Sequence, residues 1–448
     1  MTDGASVADR LKAGETARAK APWSATAAWK PAADRPDPIA LLVEQAATRL
    51  PDLVPVRYGR MSTSPFAYYR GAALPMAADL ATLAVSGIRT QLCGDAHLSN
   101  FGMFASPERD LVFDITDFDE TLEGPWEWDL LRLAASIVIA GRTRGFATHA
   151  THHAVVAAAH SYQQRMAGYA QMRAIDVFYS KVDAAAILDF VDVRARKYLA
   201  TTIKAAAHHD AIHELPKITT VEGGRVRIVD RPPTISHPPE VTDALTAATL
   251  QDYRGSLQED RRALFDRYRL VDTALKVVGI GSVGLAAFVA LFEGVGADDP
   301  LFLQVKEAEA SVLERFLEPS PMPTHGERIV TGQRRLQATS DVLLGWAVGP
   351  RGRHLYARQH QDQKGAAVVE VMTVDDLTTW GELCAWALAR GHARSGDPAE
   401  IAGSIGDAGE FGHAVGAVAA TYADANERDF AAFTQAIKDG RLPAQTGV

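Results

Sequence analysis

Three short segments carry residue types whose chemistry converges on phosphoryl transfer. In CGDAHLSNFG, Asp95 is followed by Asn100, just after the apolar Leu92. A carboxylate there can orient an attacking hydroxyl or accept its proton, and an amide oxygen one loop-turn further on can hold a metal. In LVFDITDFDE, a strand-like run delivers Asp117 immediately before Phe118, with Asp119 next to it. A carboxylate at such a strand end can bind the magnesium that bridges phosphates. The third segment is GIGSVG, with Gly279, Gly281, Ser282 and Gly284, followed by Lys306 in LFLQVKEA. Glycines let backbone amides approach phosphate oxygens with no Cβ in the way.

Each segment alone has a plainer reading. Asp and Asn in loops commonly satisfy turn backbone. The glycine spacing also fits a dinucleotide-binding turn, with Glu307 or Glu309 as ribose ligand, which would make the chain an NAD-binding oxidoreductase. Lys306 separates the two, because a lysine ending an apolar strand after a glycine hairpin is what a kinase sets against the α and β phosphates. The order Asp95, Asn100, strand, Asp117, followed by a helix opening at GPWEWDLLRLA, is far more specific than any one cluster. Asp129 in that helix either braces the catalytic loop from below or complements the helix dipole as an exposed first-turn acid.

A kinase lysine needs a helix carboxylate to hold it. Glu309, Glu314 and Glu327 are the candidates, and the sequence does not choose among them. In the run Arg57, Tyr58, Arg60, Tyr69, Arg70, the aromatics read as packing, and Arg60 and Arg70 as either ion-pairing groups or contacts to phosphate. His97 lies inside the catalytic-loop candidate, where it can hold the loop. The adjacent pairs His152–His153 and His208–His209 point to different sides of a helix, which argues against shared zinc. Cys93 reads as a small buried apolar residue.

The elements that must position these groups follow from periodicity. Residues 1 to about 40 read as a loosely held arm packing on the surface. Helical spacing appears over 39–50 and 72–84, and two brief strands between Arg89 and Thr121. Helices dominate from Trp126 to about His213, and a hairpin over Gly223 and Gly224 precedes a Pro-rich connector, the best domain boundary. A charged helix, strand runs around the glycines and Lys306, a further strand pair and two closing helices complete the chain.

The 448 residues, 47% hydrophobic and 23% charged, suit two or three packed units of a globular protein. A formal charge of −9 does not supply the basic surface of a nucleic-acid binder. The absence of a signal peptide, an 18-residue apolar run or a cysteine framework points to the cytoplasm, with neither membrane nor nucleic acid as partner.

CGDAHLSN and ITDFDE resemble the catalytic and metal-binding loops of aminoglycoside phosphotransferases and related small-molecule kinases. In that group the first loop usually begins His-Gly-Asp, where this chain has Cys93. The longer strings RYGRMSTSPFAYYRGAA, QLCGDAHLSNFG, DFDETLEGPWEWD and DPLFLQVKEA resemble a bacterial family known as domain of unknown function 2252, over nearly the whole chain after about residue 40. The kinase resemblance implies ATP and Mg²⁺ as cofactors. It also implies an α+β, protein-kinase-like two-lobed fold with a small antiparallel β lobe and a larger helical lobe. Here the glycines and lysine follow the catalytic loop, which implies circular permutation. The expected units are an arm at 1–40, the helical lobe with both loops at 41–240, the nucleotide-binding lobe at 241–370, and helices at 371–448 packing on the large lobe. The expected activity is phosphotransfer to an unknown small-molecule or protein hydroxyl. The alternatives are a pseudokinase without turnover, an AMP-transferring enzyme and the NAD reading.

Overall fold

In WEWDLLRLAASIVIAGRT the apolar residues spread around the helix and leave only a narrow stripe to Asp129, Arg132 and Ser136, so a helix made from it has no broad face suited to water. In the computed structural model, which describes residues 4–190, 211–222, 225–238, 243–277, 279–296, 299–360, 365–366 and 368–447, this helix runs Glu127–Thr143 and is buried from Glu127 to Gly141. The helices Thr148–Ala170, Val374–Ser395 and Ala408–Lys438 enclose it. The second starts at a capping box in which Thr373 and Asp376 satisfy each other's backbone N–H groups.

The N-terminal stretch is held more firmly than its composition implies. Ser6 caps a helix Val7–Lys20 that lies against the helix Pro398–Ile405. The two touch at backbone distance: a Cβ on Gly14 would stand 2.0 Å from Glu400 O, and one on Gly403 would stand 1.9 Å from Leu11 O. Arg18 then donates to Ser404 O (2.9 Å) and Glu127 Oε1 (2.6 Å), and Trp23 Nε1 to Ile405 O (2.8 Å). Gly403→Val, which forces these helices apart, is expected to destabilise the chain by about 1–3 kcal/mol, the usual cost of overpacking, read as a lower urea midpoint.

Thirteen strands are present among the described residues. β1 (Arg89–Leu92) pairs with β4 (Leu122–Pro125), and β2 (Phe101–Ala105) lies between β3 (Leu111–Ile115) and β13 (Gly365–Ala366). β5 (Thr219–Glu222) and β6 (Arg225–Ile228) form the expected hairpin. The six-stranded sheet, antiparallel throughout, contains β7 (Ile235–Ser236), β8 (Arg269–Lys276), β9 (Ala287–Glu293), β10 (Pro300–Glu307), β11 (Gly345–Val348) and β12 (His354–Gln359). Its order is β11-β12-β10-β9-β8-β7. Leu303 and Phe292 of this sheet pack with Tyr253 and Phe265, while Phe302 and Leu291 pack with Ile218 and Ile228. The helix His325–Leu336, between β10 and β11, covers β11 and β12.

The chain is therefore α+β, with a helical body and small antiparallel sheets. The aromatic, basic run after residue 53 forms two helices, Val54–Met61 and Pro65–Gly71, the second capped by Ser64 accepting from Ala67 N at 3.0 Å. His208, His209, Gly223, Gly224 and the boundary near residue 240 lie outside the described residues. Among the described residues no helix is long and apolar enough to cross a membrane.

Candidate active-site cleft

A cleft of about 710 Å³ opens between the six-stranded sheet and the helical body. Asp95, His97, Asn100, Asp117 and Asp119 line it, as do Gly279, Gly281 and Ser282. The loop between β1 and β2 supplies the first three. Gly94 in that loop has φ 83°. A Cβ on Gly94 would lie 2.1 Å from Glu120 O, so only glycine lets the two acidic loops lie against each other.

Asp129 is 1% exposed, and its carboxylate accepts from Cys93 N at 2.7 Å and Gly94 N at 3.0 Å. Behind it stand His392, with Nε2 3.4 Å from Asp129 Oδ2, and the Tyr162 hydroxyl, 2.8 Å from His392 Nδ1. Cys93 is wholly buried, and burial pushes its thiol well above the ordinary range.

Arg132 Nε donates to Asp95 Oδ1 at 2.5 Å. Asn100 Nδ2 donates to Asp95 O at 2.8 Å, which leaves the amide oxygen as the donor atom facing metal chemistry. Burial raises the Asp95 carboxyl, against the pull of Arg132 and Arg70. His97 Nδ1 accepts from Ser99 N at 3.2 Å, and its Nε2 is 3.8 Å from Asp95 Oδ2. Burial, with Arg70 and Arg132 nearby, holds the imidazole neutral.

Lys306, next to last in β10, has Nζ 2.6 Å from Asp119 Oδ2 and 3.9 Å from Asp117 Oδ2. The Tyr356 hydroxyl, from the neighbouring β12, donates to Asp119 Oδ1 at 2.5 Å. Burial works to raise Asp119, but Lys306, Tyr356 and Arg358 more than offset it and hold it below the ordinary range. Asp117 moves the other way, raised by burial and by the Asp119 charge. The pair thus divides into one carboxylate committed to the lysine and one left to the cleft.

The expected helix carboxylate for Lys306 is not a glutamate. Glu314 stands 3.7 Å from Arg328 Nε, and Glu327 occupies the first turn of His325–Leu336, whose cap Thr324 accepts from its N–H. Neither they nor Glu309 pairs with the lysine. That helix instead aims Arg328 at the loop: its guanidinium donates to Thr121 O (2.6 Å), Asp119 O (2.8 Å) and Glu309 O (2.8 Å). The helix grips the backbone that carries Asp119, so Lys306 meets its partner there.

The glycine turn joins β8 to β9. Gly279 and Gly284 have φ 63° and 95°. Arg60 donates to Gly279 O at 2.8 Å, Arg49 Nη1 to Val283 O, and Leu50 N to Gly284 O at 2.8 Å. Arg70 lines the cleft beneath, its carbonyl 3.4 Å from where a Gly281 Cβ would stand. A dinucleotide fingerprint must follow a strand and open a helix, and this turn links two antiparallel strands, so the NAD reading loses its structural context.

Sequence reasoning missed Arg132, Arg328, Tyr356 and Arg49. Arg132 carried a signal, since it follows Asp129 by one helical turn and so shares its face. The others become visible only when distant strands and helices meet.

Among the described residues no three His, Cys, Asp or Glu are arranged to hold a metal by themselves. Magnesium does not ask for that: one or two protein oxygens suffice when phosphates and water complete the octahedron. Asp117 and the Asn100 amide oxygen fit this requirement.

Glu120, in the same loop, accepts from Val312 N at 2.7 Å, and burial pushes its carboxyl up to about 7. A carboxyl raised on folding costs nothing below its unfolded range near 4.5 and destabilises increasingly until it ionises near 7. Glu120→Gln is therefore expected to match the parent at pH 4.5 and to exceed its unfolding midpoint at pH 8, by less than about 1.4 kcal/mol per unit of the window because the side chain keeps partial contact with solvent. Parallel thermal melts across pH check this.

Fold and site together define an α+β protein in which the acidic loops of a helical body face a lysine-bearing antiparallel sheet across a cleft. The chain belongs to the family described as "Uncharacterized protein conserved in bacteria (DUF2252)", whose profile matches residues 49–436 and so includes every cleft residue named above. No curated protein and no solved structure matches the chain.

Proposed function

We propose that the chain is an ATP- and magnesium-dependent phosphotransferase of protein-kinase-like, circularly permuted architecture, acting on a hydroxyl acceptor. The observation that carries this is the approach of Lys306 to Asp117 and Asp119 within a cleft shared with Asp95, Asn100 and the glycine turn. In protein kinases a glycine-rich loop covers the phosphates, the lysine sits on the third strand, and an Asp and an Asn hold magnesium. Here the turn lies between β8 and β9, the lysine on β10, and a helix follows before β11 and β12. Permutation is supported by where the helix Val374–Ser395 ends. Ser395 Oγ is 2.7 Å from Thr90 Oγ1 on β1, the strand that runs into the catalytic loop. Termini that close in space tolerate such rearrangement.

In this reading Gly279, Gly281, Ser282 and Gly284 cradle the phosphates, and Lys306 neutralises them. Asn100 and Asp117 hold magnesium, which when bound spreads charge across the phosphate oxygens. Asp95 presents Oδ2 to the acceptor hydroxyl while Arg132 fixes Oδ1. The acceptor oxygen bonds to the γ-phosphorus as the bond to the β–γ bridging oxygen breaks; ADP leaves, and the hydroxyl proton passes to Asp95. Catalysis of this kind is positioning and charge stabilisation.

A thermal-shift panel of ATP, ADP and NAD with and without magnesium tests the reading. A magnesium-dependent ATP shift is expected, about 2.7 kcal/mol of stabilisation at a hundredfold excess over Kd. A shift with NAD alone would overturn it. ATP binding without ADP release would mark a pseudokinase, and pyrophosphate release an AMP-transferring enzyme.

A further inference from the structure

One wall of the cleft carries charge that the transfer chemistry does not use. Arg49 (6% exposed), Arg57 (1% exposed) and Arg70 line it together, on and beside the helices Val54–Met61 and Pro65–Gly71. Among the described residues none of the three has a carboxylate at ion-pair distance. Five acids of the cleft are engaged elsewhere, Asp95 with Arg132, Asp119 with Lys306, Glu314 with Arg328, Glu307 with Arg353 and Glu44 with Arg315, and Asp117 lies 3.9 Å from Lys306. Glu309 and Glu120 lend Arg49 their field without reaching it.

The hydrogen bonds of these guanidinium groups are incomplete as well. Arg57 Nη2 donates to Gly71 O (2.7 Å) and Gln45 Oε1 (3.1 Å), while its Nε and Nη1 are buried without acceptors. Arg49 Nη1 donates to Val283 O, and its Nε has no acceptor. Arg70 makes no hydrogen bond through its side chain among the described residues, and its Nε is buried. Burial weakens the proton affinity of all three. A buried cation without a counter-ion costs several kcal/mol, and no structural contact here repays three of them. Arginine is also the side chain best shaped to receive phosphate.

We infer that Arg49, Arg57 and Arg70 form a subsite for a phosphate-class anion carried by the acceptor, so that the hydroxyl to be phosphorylated belongs to an already phosphorylated small molecule. Lys306 and the glycine turn already serve the nucleotide phosphates in the reading above, on which this inference rests. Arg70 and Asp95 line the same cleft, so an anion bound at Arg70 holds its carrier in the space that contains the group orienting the acceptor. Arg57 stands behind and contributes charge, while Arg49 and Arg70 make contact.

The test uses the full chain and inorganic phosphate as probe, titrated calorimetrically against chloride at constant ionic strength, with ATP–magnesium binding measured in parallel. The parent is expected to bind phosphate, and Arg70→Met to bind it at least about tenfold more weakly, the loss of a hydrogen bond to a charged group, with unchanged ATP–magnesium affinity. Arg70→Lys should recover part of the loss. Arg49→Met, measured the same way, replaces Arg70→Met if that variant does not fold. Phosphate binding no better than chloride, or equal loss of ATP–magnesium affinity in Arg70→Met, overturns the inference, the latter by assigning the arginines to the nucleotide. Absence of ATP–magnesium binding in a parent that still binds phosphate through Arg70 would sink the phosphotransferase reading and leave the anion subsite standing.

Discussion

Asp117→Asn is expected to lower the proposed ATP-dependent transfer by about a thousandfold, the scale seen when one preorganised electrostatic contact is removed from a transition state. The substitution keeps shape and hydrogen-bonding capacity but removes, of the two carboxylates beside Lys306, the one that the lysine does not hold closely. Stability should stay level or rise, because Asp117 is strained by burial and by the neighbouring Asp119 charge. Lys306 keeps its 2.6 Å contact to Asp119 in the variant, so the sheet and the loop stay joined. ADP release and a thermal melt on one preparation decide the matter. Full activity would remove Asp117 from the mechanism, and a collapsed melt would make it structural.

The largest stability effect belongs to a pair outside the cleft. Arg390 and Asp114 are both 0% exposed, with Arg390 Nη2 2.8 Å from each carboxylate oxygen. Asp114 also accepts from Ala338 N at 2.9 Å, and Arg390 donates to Leu336 O at 2.7 Å. One ion pair thereby ties the helix Val374–Ser395, the strand β3 and the end of the helix His325–Leu336 together. Arg390→Met leaves a carboxylate buried without its cation and is expected to cost about 3–5 kcal/mol. Adding Asp114→Asn should return much of that, since the uncompensated charge is then gone. Urea unfolding of both variants measures the difference, and equal midpoints for single and double variants would contradict it. Because β3 runs directly into the loop of Asp117, the single variant should lose activity as well.

Much of the molecule is written in local pattern. The buried helix Glu127–Thr143, the capping box at Thr373, the hairpin at β5 and β6 and the lysine-bearing strand β10 each follow from periodicity, caps or turn chemistry that act over a few residues. The acidic loops were legible too, because Asp95, Asn100 and Asp117 lie close along the chain. The helices Val54–Met61 and Pro65–Gly71 were less so, although Ser64 before Pro65 is a helix start written in the sequence.

What the tertiary structure alone decided is which charges meet. Lys306 had three glutamates nearby in sequence and took Asp119, far away along the chain, because Arg328 pins that loop beneath β10. The N-terminal stretch, weakly patterned by composition, is fixed by glycines that let two helices touch at backbone distance. Arg70 was open between ion pairing and phosphate contact in the sequence, and Arg49 carried no signal there; folding places both with Arg57 on one wall of the cleft, none with a carboxylate at ion-pair distance among the described residues. Periodicity is a short-range property that a single chain segment carries within itself, whereas ion pairing depends on distance and desolvation, and both are set only when remote segments pack.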